Sequence, residues 1–183
     1  TSTTVRSKVG SVSVGLAMDL PDEVILPAIE GFTAAFGRVE RVRAEGRHIY
    51  LALVKNPVGF DEVLRTVLAR PGQQHMLIMI NDNLADGTDV SWLWDVDFER
   101  LAGRVEWMAV SGTRAHDMAL RLKYDGVDME RVQVEPDTRR ALTLALEKTP
   151  TGETLCLLPT YTAMLDVRAE MARRGYVGRF WDD

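Results

Sequence analysis

The sequence has 183 residues, and a chain of this length buries roughly 70% of its unfolded surface, so no disulfide or metal staple is needed to hold a core. Hydrophobic residues at 46% and charged residues at 27% are the balance of a globular domain, and no apolar run approaches the ~20 residues that span a bilayer. The 22 basic and 27 acidic residues leave a net charge of −5 with no basic tract, which argues against a nucleic-acid partner, and the single cysteine excludes an internal disulfide or a cysteine-rich metal centre.

Thr1-Ser2-Thr3-Thr4 is polar with no apolar stretch behind it, so no signal peptide is expected. The chain begins without Met and is expected to be a piece of something longer. Val12–Met18 alternates weakly, as a short strand does, and Val24–Phe36 has helical periodicity between acidic start and glycine stop signals. Arg38–Arg43 and a Glu45-Gly46 turn lead into Ile49–Val54, an almost continuously apolar run that reads as a strand covered on both faces.

From there a regular rhythm sets in. Phe60–Arg70 has a helical apolar face, Met76–Ile80 reads as a buried strand, and Asp97–Ala102 as a short helix after a polar loop. Trp107–Val110 is a strand, and Thr113–Tyr124 a helix with Met118, Leu120 and Leu122 among its apolar members. Val132–Val134 is a short strand, Asp137 caps a helix to about Lys148, Thr154–Leu158 is a strand closed by Pro159, and Tyr161–Arg174 is a helix stopped by Gly175. Strands alternating with helices predict an α/β fold: a Rossmann-like, doubly wound, mainly parallel sheet flanked by helices over residues 46–183. Residues 1–45 do not fit the rhythm and read as a linker or the edge of a neighbouring domain.

In such a sheet, ligands and partners meet the carboxyl ends of the strands. Four loops there stand out: Lys55-Asn56-Pro57-Val58-Gly59, the long segment Asn81–Asp97, Ser111-Gly112-Thr113-Arg114, and more weakly Pro159-Thr160-Tyr161-Thr162. Between Asp82 and Asp97 lie five Asp and two Trp, and crowded carboxylates must find cations, backbone N–H groups or a partner's imidazole. By themselves these residues fit either a functional acidic group or solvated turn residues with Trp anchors. Lys55 suits a phosphate or carboxylate but equally a plain surface position; Asn56-Pro57 can simply start a helix; Arg114 falls at a helix N-terminus, where anions are favoured. No G-x-x-x-x-G-K-[ST] or G-x-G-x-x-G segment occurs. Cys156, inside an apolar strand, reads as a buried structural thiol, and His48, His75 and His116 lack metal-ligand spacing, so no metal site is expected.

Taken together in chain order, several stretches resemble the carboxy-terminal domain of the MurT family, the Mur ligase-related subunits of lipid II isoglutaminyl synthase. They are Phe36–Arg41, Lys55–Phe60, the Asn81–Glu99 loop with its Ala85-Asp86-Gly87 and Ser91-Trp92 elements, Ser111–Ala115, Leu120–Tyr124 and Pro159–Thr162. The resemblance covers about residues 30–170, and the long Asp/Trp loop is its specific part. It implies a subunit of an ATP-dependent, glutamine-hydrolysing carbon–nitrogen ligase that amidates the D-glutamate α-carboxyl of lipid II in peptidoglycan synthesis. It also implies a glutaminase partner, GatD, which supplies a Cys nucleophile and a His base. The Asp of that Cys-His-Asp triad is expected from this domain, at Asp89, with Asp86 as second candidate. Lys55 and Asn56 are expected to face the nucleotide or acyl phosphate, and Trp92, Trp94, Asp95 and Arg114 the partner. ATP and Mg²⁺ are implied for the full-length complex, none for this piece, which alone is expected to be inactive. On this resemblance residues 1–45 are the tail of the Mur ligase central domain, the chain is roughly the last two-fifths of a longer subunit, and the location is cytoplasmic, at the inner face of the membrane. Competing readings are a non-catalytic interaction module and a free-standing metal-dependent enzyme using the acidic loop.

Overall fold

The computed structural model describes Pro21 and residues 39–178, and all of these but Pro21 belong to one unit of the chain spanning Phe36–Asp183. The strand expected at Val12–Met18 and the helix expected at Val24–Phe36 lie outside the described residues. The strands are β1 (Glu40–Ala44), β2 (Arg47–Leu51), β3 (Gln74–Met79), β4 (Val105–Ser111), β5 (Val132–Val134) and β6 (Thr154–Pro159). The helices are α1 (Pro57–Leu68), α2 (Ala115–Tyr124), α3 (Thr138–Lys148) and α4 (Tyr161–Arg173), with 3₁₀ turns at Ser91–Asp95, Phe98–Leu101 and Met129–Arg131.

The strands form one sheet in the order β1-β2-β6-β3-β4-β5, with β1 antiparallel to β2 and the other pairs parallel. This is the mainly parallel, doubly wound α/β fold that the alternation predicts. β1 falls before the expected boundary at residue 46: Glu40–Ala44 pairs with Arg47–Leu51 across the Glu45-Gly46 turn, whose residues have φ of 50° and 76°. Its charged Glu40, Arg41 and Arg43 hide a strand at the sheet's edge, where outward residues meet solvent.

The other elements lie within a few residues of expectation. The strand expected at Ile49–Val54 begins at Arg47, and after Leu51 the Ala52 and Val54 amides still donate to Leu157 and Pro159 of β6. α1 starts three residues early because Asn56 caps it, its side-chain oxygen accepting from the Gly59 amide at 2.8 Å. Pro57 follows at a first-turn position, where a missing N–H costs nothing. Asp137 caps α3 as expected, accepting from the Arg140 amide at 2.9 Å.

Each central strand is apolar on both sides, as a doubly covered sheet requires. Met76, Ile78 and Ile80 with Cys156 and Leu158 face a core completed by Phe60 and Leu64 of α1, the 3₁₀ turns and Met118 and Leu122 of α2. Leu77 and Met79 with Leu155 and Leu157 face the other core, under Ala141, Leu142 and Leu146 of α3 and Met164 and Val167 of α4. Leu120, expected among the apolar members of its helix, is exposed.

Cys156 is fully buried, and desolvation pushes its thiol up to about 11. It is therefore expected to resist a thiol-alkylating reagent at pH 8 in the native protein and to label fully in denaturant. Mass spectrometry before and after unfolding checks this; native labelling at the denatured rate contradicts a buried thiol.

Candidate functional site

β2, β3, β4 and β6 run parallel, so the loops that follow them share one edge of the sheet. Three of those loops are tied into a single network. Asn81, 6% exposed at the end of β3, donates its backbone N–H to Thr160 Oγ1 (2.9 Å) and its side-chain amide to Thr162 Oγ1 (3.0 Å). Its Oδ1 accepts from the Thr113 amide at 3.1 Å. Asp82 accepts from the Thr113 hydroxyl (2.7 Å) and from Arg114 Nε (2.8 Å), and these contacts hold its carboxyl below the usual carboxylate range. Asn83 donates to Thr162 Oγ1 at 2.8 Å. The segments that looked like separate loops in the sequence are one hydrogen-bonded knot across β3, β4 and β6.

Asp86 belongs to this knot. Its Oδ1 accepts from the Thr162 amide at 2.7 Å and its Oδ2 from the Thr162 hydroxyl at 2.5 Å. Thr160, the N-cap residue of α4, makes no side-chain cap of its own helix, so a carboxylate from a loop 76 residues away satisfies the first turn. Thr162 Oγ1 in turn accepts from both Asn81 and Asn83 while donating to Asp86, which uses its full capacity.

Asp89 is different. It is exposed, and its Oδ1 accepts from the Ser91 amide at 2.8 Å, an Asx turn that opens the Ser91–Asp95 3₁₀ segment. The Ser91 amide, then its hydroxyl, hold the Asp89 carboxyl below its ordinary value, so it is ionised at neutral pH. Beyond it the two tryptophans divide. Trp92 is half-buried, its ring 6.3 Å from Phe60, which packs edge-on to Phe98 at 4.9 Å; this cluster roots the loop in the core. Trp94 is 53% exposed and lies 5.8 Å from the ring of Tyr124, itself 72% exposed on α2. Asp95 is exposed beside it.

Four of the five Asp in this segment find partners, each along a separate route. Asp82 meets Arg114, Asp97 meets Arg100, Asp86 meets an amide and a hydroxyl, and Asp89 meets Ser91. No group of three or more His, Cys, Asp or Glu suited to a metal ion gathers among the described residues. Arg114 is half-exposed, paired with Asp82 and, at 3.3 Å, with Asp117. Lys55 is exposed at the carboxyl end of the β2 segment, and Asn56, next to it, keeps its amide nitrogen free of the capping bond made by its oxygen. On the α3–α4 side of the same edge an open cleft of about 900 Å³ runs between Asn81, Thr113, Asp137, Arg140, Asp166 and Arg173. Lys55 and Asp89 lie outside its lining.

Two features escape a reading of the sequence. Thr162 is the hub of the knot, and nothing about one threonine at a helix start announces that role. Arg121, in the middle of an apolar helix face between Met118 and Leu122, is 6% exposed; a charged residue at that periodic position is a signal that could have singled it out.

The architecture has well-defined relatives. The structure of MurF from Acinetobacter baumannii superposes with a TM-score of 0.59 at 17% identity, over 90% of this chain and 37% of that one. FolC from E. coli does so with 0.59 at 16% identity, over 85% of this chain and 36% of that one. The fold is thus that of the Mur ligase and FolC carboxy-terminal domain. Residues 53–164 match the model of the MurT ligase C-terminal family. The MurT subunit of lipid II isoglutaminyl synthase (glutamine-hydrolyzing) from Staphylococcus aureus is 32% identical over 157 residues, 85% of this chain and 35% of that protein. The subunit of the same name from Streptococcus pneumoniae is 28% identical over 174 residues, 94% of this chain and 38% of that protein. The chain belongs to the MurT ligase C-terminal family, and it spans a little over a third of the length of these relatives.

Proposed function

We propose that this chain is the carboxy-terminal domain of the ligase subunit of a lipid II isoglutaminyl synthase, and that it docks the glutaminase subunit GatD and lends it Asp89. The observation that carries this reading is the contrast between the two candidate carboxylates. Asp86 is consumed by Thr162, whereas Asp89 is exposed, ionised and fixed by Ser91 at the head of a turn. A carboxylate so placed suits a hydrogen bond to a partner's imidazole, where it fixes the tautomer and stabilises the imidazolium. The partner's Cys thiolate would attack the glutamine amide, and the imidazolium would protonate the departing ammonia. Trp94 and Asp95, exposed on the turn that follows Asp89, belong to the docking surface in this reading, with Arg114 at its margin and Trp92 rooting the loop beneath.

Ammonia released there would amidate the D-glutamate α-carboxyl of lipid II at the cytoplasmic face of the membrane, after ATP-dependent activation elsewhere in the subunit. The sequence carries no glycine-rich phosphate loop, and in this reading ATP and Mg²⁺ are held by the rest of the full-length subunit. Lys55 and the Asn56 amide are proposed to face the acyl phosphate or nucleotide from the carboxyl edge. In this reading the residues ahead of β1 are the tail of the central domain, and β1 belongs to the sheet of this one.

The test is reconstitution. The glutaminase subunit alone is expected to hydrolyse glutamine only weakly, and co-purification with the ligase subunit carrying this domain is expected to raise that rate by about 10³-fold, the scale of a missing triad member. Equal rates with and without the ligase subunit would remove the reading.

A further inference from the structure

The Ser91–Asp95 turn is held at both ends, and the hold at its carboxyl end comes from α2. Arg121 Nε donates to the Leu93 carbonyl at 3.1 Å, and its Nη2 donates to the Val96 carbonyl at 2.9 Å. The rings of Trp94 and Phe98 lie 5.1 and 5.8 Å from its guanidinium carbon. Its charge is balanced one helical turn on by Asp125, in an ion pair buried on both sides, with Glu99 3.8 Å away. A short 3₁₀ turn leaves carbonyls without intrahelical donors, and a planar guanidinium fork is suited to collect two of them at once. At the other end of the same turn Ser91 binds Asp89. The Ser91–Asp95 turn thus begins at the bond to Asp89 and ends beside the Val96 carbonyl that Arg121 holds.

We propose that Arg121 is a positioning residue for the glutaminase reaction: by fixing the Leu93 and Val96 carbonyls it sets the direction in which the turn presents Asp89. This rests on the reading of Asp89 given above. Lysine keeps the charge beside Asp125 but cannot reproduce the two-carbonyl fork.

The experiment uses the full ligase subunit assembled with its glutaminase, with Arg121→Lys introduced into both the parent and the Asp89→Asn background, and follows steady-state glutamine hydrolysis. In the parent background, Arg121→Lys is expected to assemble, to leave KM within about twofold and to lower kcat about tenfold. In the Asp89→Asn background the same substitution is expected to change kcat by less than about twofold, because the residue through which it acts is gone. An unchanged kcat in the parent background, or the same fractional loss in both backgrounds, overturns the proposal; the latter is what a merely structural role produces. If Arg121→Lys fails to assemble, Asp125→Asn replaces it, with about a threefold loss that likewise vanishes in the Asp89→Asn background and the same overturning outcomes. Full hydrolysis by Asp89→Asn itself defeats the triad reading and this proposal together. An inactive Asp89→Asn beside a fully active Arg121→Lys defeats this proposal alone.

Discussion

Asp89→Asn in the assembled complex is expected to lower kcat for glutamine hydrolysis by about 10³–10⁴-fold while the two subunits still co-purify. Asparagine can still accept from the Ser91 amide, so the Asx turn survives. Its side-chain amide, however, can donate to an imidazole nitrogen, which favours the wrong tautomer and gives no negative charge to stabilise the imidazolium. Because Asp89 is exposed and bonded only within its own turn, the melting temperature is expected to stay within ~2 °C of the parent. Asp86→Ala should behave in the opposite way. It strips the Thr162 amide and hydroxyl of their acceptor, a loss of about 1–3 kcal/mol. At roughly 2–4 °C per kcal/mol for a chain of this size, that lowers the melting point measurably. Calorimetry and a glutamine-hydrolysis assay on both variants separate the roles. A thermally neutral Asp86→Ala that is inactive, beside an active Asp89→Asn, would exchange the two assignments.

Gly112→Ala is expected to be the most destabilising single-methyl change at the site, by about 2–5 kcal/mol. Gly112 follows β4 with φ +90°, a region that side chains rarely adopt, and an added Cβ would sit 2.5 Å from both the Ile80 carbonyl oxygen and Asn81 Oδ1. Neither neighbour can retreat cheaply. The Ile80 carbonyl accepts from the Arg114 amide, and Asn81 Oδ1 accepts from the Thr113 amide. The methyl therefore wedges the loop after β4 away from the loop after β3, at the centre of the knot. The measurement is a denaturant titration together with hydrogen exchange at the Thr113 and Thr162 amides, both of which should lose protection. A loss of stability below ~1 kcal/mol would show that the two loops part without cost.

Much of this architecture was legible from periodicity. The runs Met76–Ile80 and Leu155–Leu158 are apolar at every position, and a strand apolar on both faces belongs inside a sheet covered by helices. Asp137 is cap chemistry that depends only on neighbouring residues, which is why that helix start can be read locally, whereas the apolar face placed the start of α1 at Phe60, three residues past its first residue, Pro57. β1 could not be read in this way, because an edge strand places Arg41 and Arg43 in solvent and loses the apolar signature. Within the candidate site, the long Asp/Trp loop stood out by composition, but composition treats Asp86 and Asp89 alike. Three residues apart, they are separated only by what each meets across space.

Local order in this chain, then, was determined by the sequence itself: strand and helix alternation, the caps, the buried Cys156 and the presence of an unusual acidic loop at the carboxyl edge. Only the tertiary structure decided which carboxylate is bonded to Thr162 and which is exposed to solvent. Asp86 is engaged by Thr162, which approaches it from 76 residues away, and the turn after Asp89 is met by Arg121, which reaches the Leu93 carbonyl across 28 residues of chain. Hydrogen bonds between such distant residues leave no periodic trace in a sequence, because they form only once the sheet has brought β3, β4 and β6 side by side.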